Sequence, residues 1–145
     1  MMAPGTRPPP SESIRPVALV VEPDRLTRWS IRTYLEAWFD VRTAATAAEA
    51  CALARTIPAS RLSVAIVADR MPDGTADVVI QTVRECNPQA GIIETVVPPS
   101  LTEEVGRTPP PDVRVLEKPF LLDTLGDMLR SGDQAGQPSR PDMRA

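Results

Sequence analysis

The chain alternates between short runs of consecutive apolar residues and longer stretches in which apolar residues recur every three or four positions. Pro16 to Val21 is the first such run, ending at Glu22-Pro23-Asp24, and it reads as a strand buried on both faces that stops at an acidic turn. From Leu26, the residues Leu26, Ile31, Tyr34, Leu35 and Trp38 recur at helical spacing, which predicts a helix to about Ala37 with Asp24 or Thr27 as its cap. Val41 to Ala44 predicts a second strand. Thr46-Ala47-Ala48-Glu49 has the form of a capping box in front of a helix that Pro58 stops after Ile57. Val64 to Ala68 is the third strand, running into Asp69-Arg70-Met71-Pro72-Asp73-Gly74; Val78 to Glu85 then carries Val79, Ile80 and Val83 on one helical face. Gly91 to Val97 and Val113 to Leu116 predict the last two strands, with room between them for only a short helix around Leu101 to Arg107. Leu121, Leu122, Leu125, Met128 and Leu129 stripe a final helix.

Five strand–helix alternations predict an α/β domain: a parallel sheet with helices on both faces, because parallel strands need crossover connections. The domain is expected over 15–130. Residues 1–14 and 131–145, rich in Pro and small polar residues with no apolar core, are expected to be disordered tails. Neither a secretory leader nor an 18-residue apolar span is present in the sequence, so a cytoplasmic protein without membrane contact is expected.

Composition narrows the chemistry. A net charge of −3 with scattered arginines leaves no basic stripe, so no nucleic-acid partner is expected. With no histidine, and with only Cys51 and Cys86 far apart, the common zinc spacings and the Ser-His and Cys-His nucleophile pairs are excluded. The cysteines read as small buried or half-buried thiols. The protein is not expected to be an enzyme.

In a doubly wound sheet, ligands bind at the carboxyl ends of the strands. The residues there are Glu22, Asp24, Asp69, Thr95 and Lys118. Clustered carboxylates suit magnesium, which takes oxygen ligands; a lysine and a hydroxyl suit the oxygens of a phosphoryl group. Lys118 stands out as the single lysine among sixteen basic residues. No phosphate-cradling glycine loop follows the first strand, which argues against a nucleotide-binding enzyme on the same architecture.

The pieces VALVVEPDRLTR, RTAATAAEAC, DRMPDGTADVV and LEKPF, in this order and spacing, resemble the receiver domain of bacterial two-component response regulators, from about Val17 to Leu129. The resemblance implies a flavodoxin-like (βα)5 three-layer sandwich with strand order 2-1-3-4-5. It also implies phosphoryl transfer from a kinase histidine to an aspartate at the end of the third strand, with magnesium. The chain departs from that pattern in three places. Pro23 follows Glu22 where a second acid is usual, leaving Asp24 one residue late. Counting back three from Met71 puts the acceptor slot on Ala68, with Asp69 beside it. The hydroxyl slot falls on Val96, one residue past Thr95. A slip of one residue in a strand reverses the face of a side chain, although a bulge can re-aim it.

Two functional readings follow. The first is a stand-alone degenerate receiver, a phosphorylation-independent interaction module with no catalytic residue and no cofactor. The second is an active receiver, phosphorylated at Asp69 by a histidine kinase, with Glu22, Asp24 and Asp69 holding Mg2+ and Lys118 with Thr95 or Val96 lining the phosphoryl pocket. Its partners are expected to be a signalling protein or a histidine kinase, or a second copy of the chain in a homodimer. With no effector segment after the last helix, output is expected to pass through a partner. Trp29 is a candidate interface anchor, whereas Trp38 and Phe39 are expected to pack beneath the second strand.

Overall fold

The computed structural model describes residues 15–98 and 109–131. The tails and the helix expected around Leu101 to Arg107 lie outside the described residues. Five strands, β1 Val17–Val21, β2 Asp40–Ala44, β3 Leu62–Ala68, β4 Gly91–Val96 and β5 Arg114–Glu117, form one parallel sheet in the order β2-β1-β3-β4-β5. Among the described residues four helices connect or follow them: α1 Arg25–Leu35, α2 Ala47–Thr56, α3 Ala76–Cys86 and α4 Leu122–Arg130. This is the doubly wound architecture that the alternation predicts.

The two faces of the sheet bury separate cores. On one, Val17, Leu19, Val21, Ala65 and Val67 pack with Ala47, Ala50 and Ala54 of α2 and Val79, Ile80 and Val83 of α3. On the other, Ala18, Val20, Val64, Ile66, Ile93 and Leu116 pack with Ile31 and Leu35 of α1 and Leu125 of α4. Successive strand residues join opposite cores, the period-2 alternation of a pleated strand. All five residues of β1 are buried, which is why that strand reads as an unbroken apolar run.

Local chemistry sets the helix boundaries. Asp24 caps α1, its Oδ2 accepting from the Thr27 amide at 2.9 Å. Thr46 caps α2 by accepting from the Glu49 amide at 3.1 Å, while the Glu49 carboxylate reaches back to the Ala45 amide at 2.7 Å, one residue before the position an ideal capping box would use. Helix α1 ends at Leu35, two residues short of expectation, because the amides of Trp38 and Phe39 both turn back onto the Leu35 carbonyl. The chain then enters β2 at Asp40, whose amide bonds Pro16. β5 starts one residue late because the Val113 amide is bound in a turn to Pro110.

Two expectations about α1 are corrected. Leu26 lies five residues before Ile31, off the Ile31–Leu35 stripe, and is 73% exposed. Trp38 is not packed beneath β2; it is about half exposed and meets the Tyr34 ring edge-on at 5.4 Å. Phe39 does pack against the α1–α4 core. Cys51 is buried and accepts a hydrogen bond from the Thr82 hydroxyl at 3.3 Å, and Cys86 is half-buried. Among the described residues no helix is long and apolar enough to cross a membrane.

Candidate functional site

Strand alternation and register decide which side chains meet at the carboxyl edge of the sheet. Ala68 pairs with Thr95 and Thr95 with Leu116, and registered residues in a parallel sheet share a face. Leu116 belongs to the α1–α4 core, as do Val64 and Ile66 two and four residues before Ala68. Ala68 and Thr95 therefore lie on the α1–α4 face. Both are buried. Glu22 follows Val20 by two residues and Lys118 follows Leu116 by two, so alternation sends them to the same side.

Their contact confirms it. The Lys118 amine lies 3.0 Å from Glu22 Oε1, with the Glu22 side chain 3% exposed and the Lys118 side chain 25% exposed. The other Glu22 oxygen accepts from the Asp24 amide at 2.9 Å, so both carboxylate oxygens are engaged. The Arg28 guanidinium donates to the Glu22 carbonyl at 2.8 Å and closes the strand end from α1.

Asp69 stands apart from this cluster. β3 runs unbulged to Ala68, and the Asp69 amide donates to the Thr95 carbonyl at 2.9 Å, so Asp69 is the first residue past the strand, at a bend. Among the described residues no ion pair joins Asp69 to Lys118. The β3 residue in the row of Thr95 is Ala68.

The hydroxyl position is corrected. Counting from Lys118 favours Val96, but the register pairs Val96 with Glu117 and puts Thr95 in the row of Ala68. Both the alignment on Ile92-Ile93 and the count from Lys118 miss by one because sequence spacing does not carry the register, which β3 sets by pairing Ile66 with Ile93 and Ala68 with Thr95. Thr95 and Lys118 therefore lie on the same face of the sheet, and Val96 on the other.

Asp24 is exposed and serves as a helix cap. The Thr27 hydroxyl, at 2.6 Å, and the Thr27 amide hold its carboxyl below the usual aspartate range, with Lys118 and Arg28 adding to the effect. Glu22, Asp24 and Asp69 do not converge: among the described residues no three His, Cys, Asp or Glu side chains are grouped as metal ligands. The donors that magnesium would take at Glu22 already face an ammonium and an amide, so these residues do not fit the ion.

Three features escaped the sequence reading. Asp73, in the loop after β3, accepts from the Ala47 and Ala48 amides at 2.8 and 3.0 Å and pins that loop to the start of α2; the two bonds lower its pKa. The Asp-Gly turn is visible in sequence, but its partner 26 residues upstream is not. Arg28 is visible only as an arginine four residues after the cap. Glu94, fully buried in β4, shows in sequence as an acid interrupting the apolar run Ile92-Ile93.

The fold has close relatives among solved structures. An adenylate cyclase structure from Rhodopirellula baltica superposes with a TM-score of 0.68 at 25% identity, covering 82% of this chain and 87% of that one. A response regulator receiver protein from Sinorhizobium medicae gives 0.64 at 19%, covering 80% and 95%. The chemotaxis protein CheY4 of Vibrio cholerae gives 0.63 at 24%, covering 79% and 96%. The chain has the response-regulator receiver fold. No family model and no curated protein matches it.

Proposed function

We propose that this receiver is a signalling module that works by binding a partner protein and takes no phosphoryl group at the pocket. The observation that carries the reading is Ala68 in the row of Thr95, on the face of Glu22 and Lys118, with Asp69 one residue past the end of the strand. An alanine methyl has no nucleophilic oxygen. Without a third carboxylate, Glu22 serves Lys118 and not a metal ion, so the module needs no magnesium and turns over no substrate.

With phosphoryl chemistry set aside, function rests on a surface. Leu26, Trp29, Val97 and Leu121 are large apolar side chains left exposed. Leu26, Val97, Lys118, Pro119, Phe120 and Leu122 line one groove of about 550 Å3 between α1 and the start of α4. Exposed apolar residues gathered along a groove are the usual mark of a protein contact, and a helix of a partner signalling protein fits such a trough. Arg25 and Arg28 on the α1 side favour an acidic flank on that helix.

Tryptophan fluorescence tests the reading, because Trp29 is exposed on α1, the helix that Asp24 caps next to Glu22. Adding acetyl phosphate with magnesium leaves the emission unchanged if the pocket takes no phosphoryl group. A magnesium-dependent change that Asp69→Asn removes would overturn it.

A further inference from the structure

The opposite end of the sheet carries a second cleft that plays no part in the receiver pocket. It has a volume of about 690 Å3 and lies at the amino ends of β3 and β4, with Arg61, Arg84, Gln89 and Arg114 among its lining residues. Arg84 is paired with Asp112. Among the described residues no carboxylate pairs with Arg61 or Arg114. Both bond backbone instead: Arg61 Nη2 donates to the Arg15 carbonyl at 3.0 Å, and Arg114 Nη1 to the Met128 carbonyl at 2.7 Å, which answers the carbonyl end of α4. Partial burial without a counter-charge pulls the Arg114 pKa down.

Unsatisfied donors gather at the same place. Among the described residues only two buried side-chain polar atoms lack a hydrogen-bond partner, Arg61 Nε and Asn87 Nδ2. Arg61 lines the cleft. Asn87, fully buried, is tied to its wall, with Oδ1 accepting from the Ser60 amide at 2.9 Å and from Gln89 Nε2 at 3.2 Å. Those two donors fix which end of the Asn87 amide is oxygen, so the unpartnered atom is a donor. A buried guanidinium nitrogen without an acceptor at Arg61, and a part-buried Arg114 guanidinium without an anion among the described residues, are both costly arrangements that a ligand bearing oxyanions in the cleft relieves.

We propose that this cleft binds a small molecule carrying two or more oxyanion groups, phosphate or carboxylate, held by Arg61 and Arg114. Its volume is that of a metabolite site, and the planar guanidinium fork matches both groups. The inference stands apart from the receiver pocket, and either can fail without the other.

Calorimetric titration of the full chain tests it, using inorganic pyrophosphate and citrate in separate arms. The expected result is one-to-one binding of at least one of them with a Kd below about 1 mM, the tighter one naming the class. Arg61→Gln and Arg114→Gln are each expected to weaken binding by roughly tenfold or more, and Arg70→Gln, past the carboxyl end of β3, to leave it unchanged. Circular dichroism establishes that each variant is folded, and Arg114→Lys, which keeps the charge, covers the case in which Arg114→Gln does not fold. No binding of either anion at about 5 mM would overturn the proposal, as would folded variants that bind as tightly as the parent.

Discussion

At Glu22 a carboxylate that is almost wholly buried depends on one amine and one amide. Removing one member of such a pair strands the other, whereas replacing both with neutral groups can leave stability little changed. Lys118→Met is therefore expected to lower unfolding stability by about 2–3 kcal/mol, reduced from the fully buried case because Lys118 is partly exposed. The double substitution Glu22→Gln, Lys118→Met recovers most of that loss. Urea unfolding of the cycle measures it, and a double variant as unstable as the sum of its parts would refute the structural role. Two exposed aspartates give the fold a pH response. Hydrogen bonds lower the Asp24 and Asp73 carboxyls below their ordinary value of 3.8, so their stabilisation is fully present above that value. It is lost as pH falls through the lower folded-state values. In an acid titration followed by circular dichroism, Asp73→Asn should be less stable than the parent at neutral pH, with the difference shrinking as the parent's Asp73 protonates. A constant difference down to the lowest pH would contradict this.

Among the elements, helices and strands were legible where one local rule sufficed. β1 and β3 declared themselves as apolar runs because both faces are covered, and α2 declared itself through Thr46 and Glu49. Thr46→Ala is expected to cost about 1 kcal/mol in denaturant unfolding, the usual loss when a threonine cap is removed. What the pattern missed depended on contacts distant in sequence. Leu26 matched a helical period yet missed the buried stripe, since the stripe's phase is set by where α1 meets β1 and α4. Trp38 matched it too, but the turn onto Leu35 ends the helix before that residue can face inward. The same gap between count and register misplaced the hydroxyl site. Sequence spacing does not carry the register that β3 sets by pairing Ala68 with Thr95, so the count back from Lys118 landed on Val96.

For the molecule as a whole, the two ends of the sheet have different chemistry. The carboxyl end carries Glu22, Thr95 and Lys118 beside an apolar groove, and the amino end carries the arginine-lined cleft. If the groove is the working surface, Leu26→Glu should leave unfolding stability within about 0.5 kcal/mol of the parent, since Leu26 is mostly exposed, while weakening partner binding at least tenfold. Equal binding by parent and variant, once a partner is in hand, would move the working surface elsewhere. The central claim is narrower: the last β3 residue, on the face of the lysine, has no carboxylate to phosphorylate. Intact-mass spectrometry after incubation with acetyl phosphate and magnesium tests it most directly. The account predicts the unmodified mass for the parent chain and for Asp69→Asn alike. A phosphoryl mass on the parent that Asp69→Asn abolishes would contradict it.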